Sequence, residues 1–481
     1  MAAFLVDKAD KKAKNRLEKT ILRRRFMMDF RDLSFPEAPL IKVSPPGPAS
    51  REFLRFQSAH EGSAVSYPKG MPMALRRARG ATVEDMDGNL YIDFFGGAGV
   101  MNLGHANPEI LKAAQDQLAE LSHALDFPNP SRKSLVESLL ALLPKELSRL
   151  FFGGPTGSDA VESALKLARY NTKRYPVIAF EGSYHGMTAA ALSLSSGTPF
   201  KEEFLPLLAE VHFVPYAYCY RCAFNKTSET CDIFCARYLD HRLSDPHSGI
   251  AKPAAVIIEA IQGEGGTIIP PGTYLQKIRE ICDKHDVILI VDEIQAGFCR
   301  TGKMFAFEHA GIVPDIVTMS KALGGIGLPI SCIAFKEALN TLPQGKHIGT
   351  FRGNVAAYAA GAAAIRFMEQ NSLAEHARLL GVEMLSLLKE LEKDSKTIGE
   401  ARGKGLMLGI EFVKDKETKE PAPEMAGRVR RLCHQKGLMI EIGGHDFNVA
   451  RFIPPLVLTK ELARTGVEIF ADSVKEMEKA L

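Results

Sequence analysis

Hydrophobic residues fall into short unbroken runs separated by longer segments with helical spacing. The runs are RLFF (149–152), PVIAF (176–180), AAVIIEAI (254–261), DVILIVDE (286–293), DIVTMS (315–320) and ISCIAF (330–335). Most show no polar alternation. That pattern predicts strands buried on both faces, as in a parallel sheet covered by helices. Amphipathic stretches from Pro108 to Leu121, Ser131 to Leu142 and Ala160 to Thr172 predict the covering helices. From about Asn102 to Met368 the chain therefore reads as a doubly wound α/β layer structure.

The flanks differ. The first thirty residues hold nine Lys/Arg and four Asp/Glu and read as a charged, solvated helix or a subunit-contact arm. Phe35 to Pro48, FPEAPLIKVSPPGP, reads as an extended arm. In ATVEDMDGNLYIDFFGG, Asp87-Gly88 is a hairpin turn between two alternating segments. After Asn371 a long helix, Leu373 to Leu391, leads to the strand-like segments GLMLGIEFV and GLMIEIGG. The expected division is an N-terminal segment (1–100), a large α/β domain (101–370) and a small C-terminal α+β domain (371–481) that the N-terminal segment helps to form.

Composition narrows the class. The chain has 481 residues, with 60 Lys+Arg against 57 Asp+Glu, for a net charge of +3. So small an excess argues against a nucleic-acid binder. No apolar run is long enough to span a membrane, and the N-terminus lacks a secretory h-region. Eight cysteines in this length do not make a secreted disulfide scaffold. A cytoplasmic enzyme is expected.

In open α/β sheets, ligands bind beyond the carboxyl ends of the strands. After RLFF comes GGPTGSDAVESALKLAR, a glycine-rich turn opening a helix whose free N–H groups suit an anion. Ser158 or Asp159 there also suits a plain helix cap. After PVIAF come Tyr184 and His185; Glu259 ends the next run, and Glu264 lies in the glycine-flanked loop beyond it. Asp292 ends the five-residue apolar run VILIV, so it needs a buried partner, either a cation or a protonated ring nitrogen. Lys321 directly follows a buried strand, where desolvation lowers an amine's pKa and makes it nucleophilic. Each feature alone has an ordinary structural explanation. Together they supply an anion cup, an aromatic plate, a buried acid and a strand-end lysine, the set that pyridoxal phosphate requires.

TGSDAVESALKLAR, SYHGMT, IEAIQGEGG, IVDEIQAGFCRTG, PDIVTMSKALGG and GTFRGN, in this order between about Met71 and Leu458, resemble the successive signatures of the class III (ω-type) aminotransferases, enzymes of fold type I dependent on pyridoxal 5′-phosphate. GKMFAFEHAGIVPDIV, HIGTFRGN, ARGKGLMLGIEF and GLMIEIGG…VARFIPPLVLT are similar to the 2,4-diaminobutyrate aminotransferase group in particular.

The resemblance implies a role for each matching residue. Lys321 bonds the cofactor aldehyde and, once displaced, moves the proton. Asp292 keeps the pyridine nitrogen protonated, Tyr184 stacks on the ring, and Gln295 bonds the ring oxygen. Gly157 and Ser158 hold the phosphate. Thr350 reaches the phosphate of a partner subunit, which implies a homodimer. Arg451 takes a substrate carboxylate and pairs with Glu264 when the amine donor offers none. The implied reaction moves the ω-amine of a diamino acid, with L-2,4-diaminobutyrate the best match, to 2-oxoglutarate, giving glutamate and a semialdehyde. Met187 stands where 4-aminobutyrate and ornithine aminotransferases carry arginine, and it offers no ionic anchor.

Three alternatives accompany this reading: a different ω-amine donor, a racemase or epimerase on the same scaffold, and a non-catalytic scaffold protein. The last has no chemical need for the full residue set. Cys219, Cys222, Cys231 and Cys235, spaced C-x2-C-x8-C-x3-C, suit a structural metal or iron–sulfur cluster, reduced thiols or disulfides. Transamination itself calls for no metal.

Overall fold

The structure is a computed structural model that describes residues 29–480. The expected charged N-terminal helix falls almost wholly outside the described residues. Three sheets organise the chain. Its strands are β1 (Leu75–Arg79), β2 (Thr82–Asp85), β3 (Leu90–Asp93), β4 (Arg149–Phe152), β5 (Val177–Phe180), β6 (Val211–Val214), β7 (Ala255–Glu259), β8 (Ile288–Asp292), β9 (Ile316–Met319), β10 (Cys332–Phe335), β11 (Ile398–Lys404), β12 (Met407–Phe412), β13 (Leu438–Met439), β14 (Glu441–Gly443) and β15 (Val449–Phe452).

The large sheet has the order β4-β10-β9-β8-β7-β5-β6. All its strands run parallel except β10, which is antiparallel to both β4 and β9. The six apolar runs became six of these strands. The seventh, β6 (VHFV), had no signal because its edge position leaves three of four residues only partly buried. The absence of polar alternation in β8 has a direct cause. Ile288 and Ile290 pack into one hydrophobic cluster, and Leu289 and Val291 into another on the opposite face. Both faces are thus dry, and each fully buried aliphatic side chain contributes roughly 1.5–3 kcal/mol.

Helices Pro108–Glu120, Pro130–Leu142 and Gly157–Thr172 match the expected stretches within a few residues. The alanine-rich helix Val355–Gln370 packs against the first two and is buried along most of its length. Asn107, Asn129 and Asn354 cap three of these helices by accepting a backbone N–H from the first turn.

The Asp87-Gly88 hairpin forms as expected, with β2 and β3 antiparallel and Gly88 at φ +81°. Strand β13, more than 340 residues later, adds in parallel to β3. The N-terminal and C-terminal parts therefore share one sheet. The expected strand GLMIEIGG is split, and its second half, β14, joins the sheet β11-β12-β15-β14. The Pro-rich arm is strapped to the hairpin: Leu40 bridges Leu90, and the Lys42 and Val43 amides donate to Asn89 Oδ1. The arm ends in a helix, Pro48–His60, that the sequence reading did not anticipate.

Candidate functional site

Three adjacent strands deliver three charged groups to one edge. Glu259 ends β7, Asp292 ends β8 opposite it in register, and Lys321 follows β9 by two residues. The parallel register of the sheet turns three positions remote in sequence into neighbours.

Lys321 has φ +47°, in the left-handed region that a side chain with Cβ seldom adopts. Such a conformation is kept only when its surroundings enforce it, and it is common at functional sites. Its amine donates to the carbonyl of Ala98 at 2.8 Å. Burial pushes the amine below its usual pKa, and the nearby charge of Arg451 adds to the shift. Both effects favour the free base, the nucleophilic form.

The Ala98 carbonyl is presented by an unusual turn. Gly96, Gly97, Ala98 and Gly99 all have positive φ, between 56° and 83°. Three glycines in four residues make this turn affordable. The same carbonyl also accepts from Gln295 Nε2 at 3.1 Å. A Cβ at Gly263 would collide with Gln295 Oε1, so that glycine leaves room for the amide. The sequence reading assigned this carbonyl no role; the glycine cluster FFGGAG was the available signal.

Asp292 is buried, and its partner is His185: Nδ1 and Oδ2 are 2.7 Å apart. Asp292 Oδ1 accepts the Ile294 amide at 3.0 Å. The His185 side chain is fully enclosed, yet its Nε2 has no partner. Glu259 accepts the Tyr184 amide at 3.0 Å and the Gly263 amide at 2.8 Å, which ties the SYHG loop to the QGEGG loop. Burial pushes the Glu259 carboxyl up to about 7. His185 and Glu259 thus position Asp292 and Tyr184 from behind, a task that composition and spacing could not reveal.

Gly157 and Ser158 open helix Gly157–Thr172, so their N–H groups have no intrahelical partner. Neither Ser158 nor Asp159 is the N-cap residue. Thr156 holds that position, and Asp159 reaches back to accept from its amide at 2.8 Å and its hydroxyl at 2.7 Å. Ser158 Oγ accepts the Met187 amide at 3.3 Å, joining this turn to the Tyr184 loop.

On β15, Arg451 is fully buried. Its Nη1 donates to Glu264 Oε2 at 2.5 Å and its Nη2 to Gln295 Oε1 at 2.9 Å. A second acid, Glu441 on β14, lies directly across the ladder with Oε2 at 3.3 Å from Nη1. Although burial works against its charge, Glu264 and Glu441 hold the guanidinium above its usual pKa. Tyr67 borders the same group, and its hydroxyl is pushed up to about 12 by burial and by Glu441, Glu264 and Tyr184.

Lys321, Asp292, Tyr184, Gln295, Glu264, Arg451, Gly157 and Ser158 are therefore drawn to one edge of the sheet. Thr350 is not among them. It is exposed on a 3-10 turn, Thr350–Gly353, and its carbonyl takes a 2.7 Å hydrogen bond from His123 Nε2. Among the described residues no hydrogen bond joins Thr350 to the Lys321 group. The four clustered cysteines lie elsewhere, on a turn and two short helical segments, and are free thiols. Among the described residues no group of three or more His, Cys, Asp or Glu is arranged to hold a metal, and no helix is long and apolar enough to cross a membrane.

The chain is similar to known proteins over most of its length. The family model described as "Aminotransferase class-III" matches residues 64–474. A diaminobutyrate–2-oxoglutarate aminotransferase of Haemophilus influenzae is 40% identical over 441 residues, covering 90% of this chain and 97% of that protein. A leucine/methionine racemase of Thermococcus litoralis is 36% identical over 424 residues, covering 87% and 94%. The crystal structure of an ornithine aminotransferase from Toxoplasma gondii ME49 superposes with a TM-score of 0.79 at 28% identity, covering 91% of this chain and 97% of that one.

Proposed function

Because the chain belongs to the class III aminotransferases, which depend on pyridoxal 5′-phosphate, we propose that it moves the terminal amine of a diamino acid, L-2,4-diaminobutyrate, to 2-oxoglutarate, giving glutamate and a semialdehyde. Several curated relatives at 36–40% identity carry that activity in their names. The observation that carries the reading is the Arg451–Glu264 pair within electrostatic reach of Lys321.

The residues present fit the cofactor. A flat, phosphorylated pyridine aldehyde needs an amine, an acid for its ring nitrogen, an aromatic face and an anion cup. Lys321, Asp292, Tyr184 and the Gly157–Ser158 turn provide these, and Gln295 offers a donor for the ring oxygen. When bound, the cofactor supplies an electron sink for the carbon that carries the amine.

The chain's own residues do the rest. Lys321 Nζ, whose burial favours the free base, takes the proton from the amine-bearing carbon and returns it. Asp292, held in place by His185 and the Ile294 amide, would pair with the ring nitrogen of the bound cofactor. Arg451 serves both half-reactions. With the diamine, whose reacting carbon bears no carboxylate, Arg451 stays neutralised by Glu264. With glutamate or 2-oxoglutarate, the substrate carboxylate replaces Glu264 in the bidentate geometry a guanidinium favours. Exchanging one carboxylate for another keeps the buried cation paired throughout, which avoids the several-kcal/mol penalty of stranding it.

A homodimer completes the site in this reading. Phe127, Ile348 and Phe351, at 72%, 74% and 69% exposure, surround Thr350 with apolar surface. Burying that patch against a second copy would carry Thr350 to the partner's Gly157–Ser158 turn. Cytoplasmic residence suits the eight free thiols.

The test is an amine-donor panel with 2-oxoglutarate, using purified holoenzyme and glutamate formation as readout. L-2,4-diaminobutyrate should be the best donor. No glutamate from any ω-amine would overturn the reading. Loss of optical activity from an amino acid without any keto acid would replace it with racemisation, the activity named for the Thermococcus relative.

A further inference from the structure

Charge is unbalanced at the mouth of the site. Arg451 is one cation, and Glu264 at 2.5 Å already neutralises it. Glu441 is surplus. Its Oε2 lies 3.3 Å from Arg451 Nη1 but is not aligned for a hydrogen bond, and no other donor reaches this buried oxygen. Arg430 faces it too, but no hydrogen bond joins them. A buried carboxylate oxygen that shares its cation with a better-placed acid and accepts no hydrogen bond is costly, so it either keeps a proton or takes a further donor. Burial indeed raises its pKa, and Glu264 adds to the rise.

The surrounding groups say what that donor is. Glu441 is within electrostatic reach of Lys321, the amine that marks the reacting carbon, and of Glu264 and Arg451. Met187, half exposed, adds no positive charge. Arg451 is hydrogen-bonded to Glu264, so Glu441 Oε2 keeps an acceptor free for a further ammonium. A 2,4-diamino acid carries its second ammonium three carbons from the reacting amine, a reach of about 5 Å.

We propose that Glu441 receives the second, non-reacting ammonium of the donor and so makes the enzyme selective for diamines. It is a specificity-determining residue, and the assignment rests on the diamino-acid reading above. Glu441 and Arg451 are cross-strand neighbours, so one acid and one guanidinium stand side by side. The first recognises the diamine, and the second, once Glu264 withdraws, recognises glutamate. A donor ammonium in one half-reaction and a substrate carboxylate in the other thereby share one pocket.

The test follows each half-reaction separately in Glu441→Gln holoenzyme, by the bound-cofactor absorbance. With L-2,4-diaminobutyrate, kcat/KM should fall about 10- to 100-fold, the usual value of a charge-assisted hydrogen bond, mostly through KM. With glutamate it should hold or improve. Glu441→Asp should recover part of the diamine activity. If Glu441 merely props Arg451, glutamate is the substrate that suffers, and an equal or larger loss with glutamate overturns the inference. So does an unchanged diamine half-reaction. Should wild-type enzyme reject L-2,4-diaminobutyrate while accepting glutamate, the donor reading itself fails, and Glu441 loses this role with it.

Discussion

Two arginines among the described residues are fully buried, and they are held in opposite ways. Arg300, in the loop between β8 and β9, donates from Nη1 to the carbonyls of Leu406 at 2.9 Å and Pro454 at 2.5 Å, and from Nη2 to Asn102 Oδ1 at 2.5 Å. No acid pairs with it, and burial pulls it down to about 9. Arg451 instead faces two carboxylates and one amide, on three different segments. Backbone carbonyls cannot leave, whereas side-chain carboxylates can rotate away. The first arginine is a pin that fastens parts of the fold distant in sequence. The second is an exchangeable receptor. Burial alone does not mark a functional arginine; the mobility of its partners does.

Breaking the chemistry should have the largest effect. Arg451 belongs to a working site only if Lys321 is its centre. Lys321→Ala should lower turnover by about 10⁴-fold with the fold intact, and it should abolish covalent retention of the cofactor after borohydride treatment. A label on any other lysine would displace the assignment.

Breaking the pin should come next. Arg300→Leu strands three oxygen acceptors and should cost about 3–5 kcal/mol of stability, read from denaturant midpoints. The molecules that remain folded should keep both half-reactions. A variant of normal stability and lost glutamate activity would erase the distinction between the two arginines.

Arg451→Lys should do the reverse. Its single ammonium cannot form the bidentate pair, so kcat/KM for glutamate should drop about 10- to 100-fold, with little change in the diamine half-reaction or in melting temperature. Equal losses in both half-reactions would make Arg451 structural.

The smallest effect concerns the fixed side. Glu293, fully buried, accepts the Ala306 and Phe307 amides at 2.8 Å each, much as Arg300 is held by backbone. Burial pushes its carboxyl up from 4.5 to about 8. The folded state therefore binds this proton more tightly than the unfolded chain does. The resulting stabilisation is complete below pH 4.5 and is lost as pH rises through about 8. Glu293→Gln should flatten that part of the stability-versus-pH curve at a cost of about 1–3 kcal/mol, measured by melting across pH.

The large sheet was legible because its five inner strands are buried along their whole length, which writes uninterrupted apolar runs into the sequence. β6 escaped because an edge strand need not be dry. β13 and β14 were read as one strand because GLMIEIGG carries no mark of the break. The site was legible in part. Lys321, Asp292 and Tyr184 stand directly after apolar runs, where the strand-end rule directs attention. His185, Ala98 and Glu441 were not assigned roles, since an imidazole, a carbonyl and an acid acquire theirs only from what lies across from them.

The sequence by itself determined the layers, the strand ends and the residue types at each end, because hydrophobic periodicity and turn chemistry are local properties. Tertiary structure decided which ends meet. The parallel register set Glu259 beside Asp292, the left-handed turn brought the Ala98 carbonyl to Lys321, and the β14–β15 ladder put a second acid across from Arg451. Such pairings join residues from ten to more than two hundred positions apart, and the local pattern around either one does not name its partner.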